Sequence, residues 1–117
     1  MIPTAPDSQS LVSIIEDLGL YTKLIQQLNK DFQMSGVAAS FDLTITPSTL
    51  PVMLSKLIEK LLVSNFEAYL QVLYRVDVPE TSMQSNTVQG VEHLSNVAAY
   101  KILHREWQKV YFRNKYE

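Results

Sequence analysis

Between Leu50 and Val76, 17 of 27 residues are apolar, and they are spaced for a helix. Leu54, Leu57 and Leu61 make one stripe. Ile58, Leu62, Phe66, Tyr69, Leu73 and Val76 make a second that overlaps it. Apolar positions recurring every three or four residues fall on one side of a 3.6-residue turn. Two overlapping stripes wrap more than one side, so this segment is predicted to be surrounded by neighbours. Lys56, Glu59, Lys60, Glu67 and Arg75 interrupt the run, which never reaches the ~20 apolar residues that cross a bilayer.

The segment before it carries a single stripe. Leu11, Ile14, Leu18, Tyr21, Ile25, Leu28 and Phe32 step by threes and fours without a change of phase past Gly19. One helix over about 9–34 is predicted, with a bend or a close helix contact at Gly19. Asp7 or Ser8 caps its start, and Ser35-Gly36 supplies its stop. Residues 1–9, with Pro3 and Pro6 and no periodicity, read as a frayed, flexible tail. In 37–47, Phe41, Leu43 and Ile45 alternate with Asp42 and Thr44, a strand-like period. A lone strand has no partner, so an extended connector laid over the helices is expected. A second helix over about 49–76 starts at Thr46 or Ser48, with Pro47 or Pro51 in its first turn, and stops before Pro79. Residues 77–88 read as a polar loop. A third helix over about 88–114 buries Val91, Leu94, Ala98, Ile102 and Trp107. The expectation is a single all-α domain over 10–117, an antiparallel bundle of three long helices.

Composition narrows the chemistry. The chain has 117 residues, 46% hydrophobic and 19% charged, an ordinary globular balance. It has no cysteine, which removes disulfides, thiolate metal sites and a cysteine nucleophile. Three glycines do not build a phosphate-cradling loop, and no nucleotide fingerprint is present. His93 and His104 are eleven residues apart, about 16 Å along a helix, too far to share one metal. No catalytic, metal or cofactor residues are assigned. The N-terminal residues MIPTAPDSQS lack a basic segment with an apolar core, and a cytoplasmic protein is expected.

Two surfaces stand out. The first is apolar. A three-helix bundle buries about one stripe per helix, and the middle segment offers more. Leu54, Leu62, Phe66, Tyr69, Leu70, Leu73 and Tyr74 are therefore candidates for an interface with a second copy or a protein partner. The second is basic. Residues 1–100 carry a net −5 and residues 101–117 a net +3. Lys101, Arg105, Lys109 and Arg113 recur every four residues, interleaved with Trp107, Tyr111 and Phe112. Basic heads among aromatics suit a nucleic-acid backbone or another polyanion. The same pattern is favoured at a helix C-terminus by the helix dipole. Glu106 is set to pair with Lys109, and Glu16, Asp17 and Asp31 to face the basic side from the first helix. A net charge of −2 argues against a dedicated nucleic-acid binder. The leading expectation is a non-enzymatic helical interaction module acting through the middle helix. Nucleic-acid binding by Lys101, Arg105, Lys109, Tyr111, Phe112 and Arg113 is the alternative. A pocket near Tyr69, Tyr74 and His104 that binds or converts a small molecule is the third.

Overall fold

Asp7 opens the first helix. Its carboxylate accepts the Ser10 backbone N–H at 2.8 Å, satisfying one of the donors left free at a helix start. The computed structural model describes residues 1–38, 40–82 and 90–116. Among them are five helices and no strand: α1 (Ser8–Asp17), α2 (Tyr21–Met34), α3 (Leu50–Ser64), α4 (Phe66–Val76) and α5 (Val91–Tyr116). The chain is all-helical, but the three expected long helices become five because two of them break.

The first break is at Gly19, whose φ of +75° lies in the left-handed region. A residue with a Cβ is strained there, and glycine is not. The break shifts the buried face. Leu18 is 48% exposed, and Leu20 takes its place in the core beside Leu24. The unbroken phase of the stripe was therefore misleading. The second break is at Asn65, with φ −155° and ψ 69°. Its amide side chain accepts the Ala68 N–H at 3.2 Å and starts α4 afresh. α4 ends on Asp77, itself left-handed at φ +77°, two residues before Pro79. α2 ends at Met34, and Gly36 takes φ +83° just beyond, the stop expected there. Gly90 is non-helical, so α5 starts at Val91, and it runs on to Tyr116. Residues 83–89, which include the expected start at 88 and half of the polar loop, lie outside the described residues.

The connector at 37–47 forms no strand among its described residues. Asn29 of α2 holds it instead, donating to the Phe41 carbonyl at 2.8 Å and accepting the Phe41 N–H. The Phe41 ring meets Phe32 edge-on at 6.0 Å and is buried. Asp42 closes a turn by accepting the Thr44 N–H at 2.7 Å. Tyr21 donates to the Ile45 carbonyl at 2.6 Å. Leu43 points away, 48% exposed, so the connector covers the bundle with Phe41 and, in part, Ile45.

The N-terminal segment, expected to fray, lies against α5. Trp107 donates its indole N–H to the Pro3 carbonyl at 2.7 Å. Tyr100 donates to the Ala5 carbonyl at 2.6 Å. Ile2 and Ala5 pack on the core. α5 is the central element, packed against all four other helices. Trp107, Phe32, Ile58 and Ile102 are fully buried, each large apolar side chain contributing roughly 1.5–3 kcal/mol. α2 and α5 run in opposite directions along their seam: Lys23 meets Asn114, Gln27 meets Arg113, and Asp31 meets Lys109.

Candidate interaction surface

The break at Asn65 divides the apolar middle segment into an inner and an outer set. Leu54, Tyr69 and Leu73 lie in the core, although the sequence placed them on a candidate interface. α3 and α4 bury these residues against their neighbours, and they have no surface to offer. Leu62 and Leu70 are half-buried, Phe66 is 51% exposed and Tyr74 is 85% exposed. Val63, at the end of α3, is 73% exposed and was missed. Phe66 rests on the Tyr69 ring, the two centroids 5.6 Å apart. The outer set therefore runs from the end of α3 along α4. Among the described residues the buried Tyr69 hydroxyl has no hydrogen-bond partner, and burial pushes its pKa up.

The basic face is engaged by its own chain. Lys101 donates to the Ser82 carbonyl at 3.0 Å. Arg105 pairs with Asp77 at 3.2 Å, an exposed pair worth about 0–1 kcal/mol. Lys109 reaches Asp31 at 2.9 Å and Glu106 at 3.2 Å. Arg113 donates to the Gln27 side chain at 3.0 Å. Tyr111 is half-buried, edge-on to Trp107 at 5.5 Å, while Phe112 stays 46% exposed. Of the acids the sequence pointed to, Asp31 and Glu106 meet this face, while the exposed Glu16 and Asp17 form no ion pair with it among the described residues. A second basic feature was missed. Lys23, Lys30 and Arg113 line a groove of about 260 Å³ between α2 and α5, with Gln26 and Asn114. Only the folded packing of α2 on α5 brings these cations together.

Behind this face lies a buried polar seam. Asp31 is 4% exposed and Glu106 has no exposed surface. Burial works to raise Asp31, but the adjoining Glu106 carboxyl, the Lys109 ammonium and the Gln27 amide outweigh it and hold the carboxyl below its ordinary value. Glu106 goes the other way. Burial, with the neighbouring Asp31 carboxylate, pushes Glu106 up to about 9 against the pull of Lys109. Glu106 thus favours its protonated form beside an ionised Asp31 and the Lys109 ammonium, and among the described residues neither of its oxygens has a hydrogen-bond partner. These are parts of acid–base chemistry, yet Glu106 is closed to solvent, and the seam joins α2 to α5.

His104 lines a shallow depression of about 300 Å³ with Asp77, Lys101 and Arg105, and neither Tyr69 nor Tyr74 lines it. His104 stacks near Tyr100 at 5.9 Å. A groove of about 780 Å³ runs between the N-terminal segment, α3 and α5 and carries Lys56, Glu59 and Glu92. Among the described residues, no cluster of His, Asp and Glu forms a metal-ligand set, and no helix is long and apolar enough to cross a membrane. Comparison with protein-family models, with the curated proteins and with the solved structures finds no match to this chain.

Proposed function

We propose that this chain is a non-enzymatic helical interaction module whose docking surface is the outer face of α3 and α4. One observation carries the reading: Val63, Phe66 and Tyr74 are exposed beside the half-buried Leu62 and Leu70, while Leu61, Ala68, Tyr69, Val72, Leu73 and Val76 of the same stretch are in the core. Contiguous exposed apolar side chains mark interaction sites. The closed seam at Glu106 supports a structural use of the one strongly perturbed acid. The test is a photo-cross-linking residue placed at Tyr74, with exposed Ser13 as control, in cells expressing the chain. Protein adducts at position 74 and not at 13 are expected. An absence of any adduct at 74, to another protein or to the chain itself, would overturn the reading.

A second reading, a polyanion lying along α2 and α5, is favoured by the groove of Lys23, Lys30 and Arg113, which no carboxylate lines. It predicts oligonucleotide binding that weakens steeply with salt. No binding at low salt removes it.

A further inference from the structure

We infer that the occupant of the α4 face is a second copy of this chain, packed antiparallel across a two-fold axis at Leu70. The inference rests on the docking face proposed above and names its partner. Residues four apart on a helix lie about 40° round from one another, so they form a gently slanting row. Phe66, Leu70 and Tyr74 are one such row. Glu67, Gln71 and Arg75 are the row beside it, all three exposed. On the other side lie Tyr69 and Leu73, which are buried. The apolar row therefore has a single solvent flank, and that flank reads acid, amide, base.

A two-fold antiparallel helix pair sets like flanks against each other in reversed order. Phe66 then meets Tyr74 of the second copy, and the two Leu70 side chains meet at the axis. Glu67 faces Arg75 of the second copy, Gln71 faces Gln71, and Arg75 faces Glu67. The flank is complementary to itself. A parallel pair would set it against the Tyr69 and Leu73 side, which the chain's own core occupies. Among the described residues neither Glu67 nor Arg75 is in an ion pair, whereas Arg105 and Lys109 are. The Arg75 carbonyl accepts a hydrogen bond from Lys109 at 3.3 Å, which ties this end of α4 to α5. Phe66 is backed by the Tyr69 ring, so its outer face is held ready.

One 11-residue helix against its copy buries less than the roughly 1,200 Å² of a standard interface, so a weak dimer is expected, with Kd above about 1 μM. The experiment is sedimentation equilibrium of the full chain at low salt, up to roughly 1 mM. Glu67→Arg alone and Arg75→Glu alone each set like charges together twice in a symmetric dimer, and each should weaken association at least about tenfold. The double exchange should restore it. Phe66→Ser should weaken it without touching the charges. The exchange also reverses two favourable helix-dipole contacts, so circular dichroism checks folding separately. A monomer throughout the range overturns the inference. A dimer indifferent to the single reversals, or not restored by the double exchange, also overturns it. The cross-linker at Tyr74 separates the two levels. Adducts to a different protein with a monomeric chain retain the docking face and reject the second copy; no adduct rejects both.

Discussion

Replacing Glu106 with Gln should stabilise the protein at neutral pH. Glu106 lies in the seam between α2 and α5 with no exposed surface, and its pKa is pushed from 4.5 to about 9. A group raised in the folded state contributes its full stability below the unfolded value, and loses it as pH rises through the folded value. The folded chain must therefore keep a proton that the unfolded chain releases above pH 4.5. Each pH unit in that window costs about 1.4 kcal/mol. From 4.5 to pH 7 the cost reaches about 3 kcal/mol. Glutamine has the shape of the protonated acid and does not titrate. Asp31 acts in the opposite sense: its lowered value contributes stability above 3.8 that is lost as pH falls through the folded value. The native chain should thus be most stable near pH 4–5 and weaken steadily toward pH 9. Glu106→Gln should equal it near pH 5, gain about 2–3 kcal/mol at pH 7 and lose most of the slope. Urea unfolding followed by circular dichroism at whole pH steps from 5 to 9 measures this. A native curve flat from pH 5 to 8, or a Gln variant less stable than the native chain at pH 7, would refute the proton retained by Glu106. It would mean that Glu106 is ionised and held by Lys109.

Two further outcomes are expected. Trp107→Phe keeps most of the buried ring but leaves the Pro3 carbonyl without its donor, so amide exchange in residues 2–6 should accelerate well before that of α5. Unchanged exchange there would show that the segment is held by Ile2, Ala5 and Tyr100 alone. Gly19→Ala meets no atom within 4 Å of the new Cβ, so its cost is backbone strain alone, about 1–2 kcal/mol in thermal unfolding, with Gly19→Asn milder. Equal stability of the Ala variant would mean that α1 and α2 can join without the left-handed turn.

The ends of the helices were legible in the sequence because each rests on local chemistry. Asp7 caps, Gly36 turns left-handed, and Pro79 forbids continuation. The two internal breaks were not read, for different reasons. Between Asp17 and Tyr21 the linker is close to one helical turn in length, so the spacing of apolar residues carries across it and conceals that Leu18 has left the core. At Asn65 the signal was present: a polar Ser-Asn pair inside an apolar run, with a capping residue type. It was outweighed by the apolar residues around it. This miss also mixed core with surface in the apolar candidates, since only the start of a new helix at Phe66 separates Tyr69 and Leu73 from Phe66, Leu70 and Tyr74. Glu16, Asp17, Asp31 and Glu106 were read as partners of the basic face, and only Asp31 and Glu106 pair with it among the described residues. That Glu106 is a core residue follows from a spacing left unread. Ala99, Leu103, Glu106 and Val110 step by fours and threes, so the buried stripe of α5 passes through a carboxyl.

The two hydrogen bonds that hold the N-terminal segment span 95 and 104 residues of chain. Contacts so distant in sequence form only after the intervening chain has been ordered, because a long loop must be closed with little to hold it. Until α5 is synthesised and placed, the carbonyls of Pro3 and Ala5 have no donors and the indole of Trp107 has no cover. Residues made well before α5 are thus among the last to find their positions. Trp107 is the only tryptophan in the chain, so the fluorescence of one side chain times that final step.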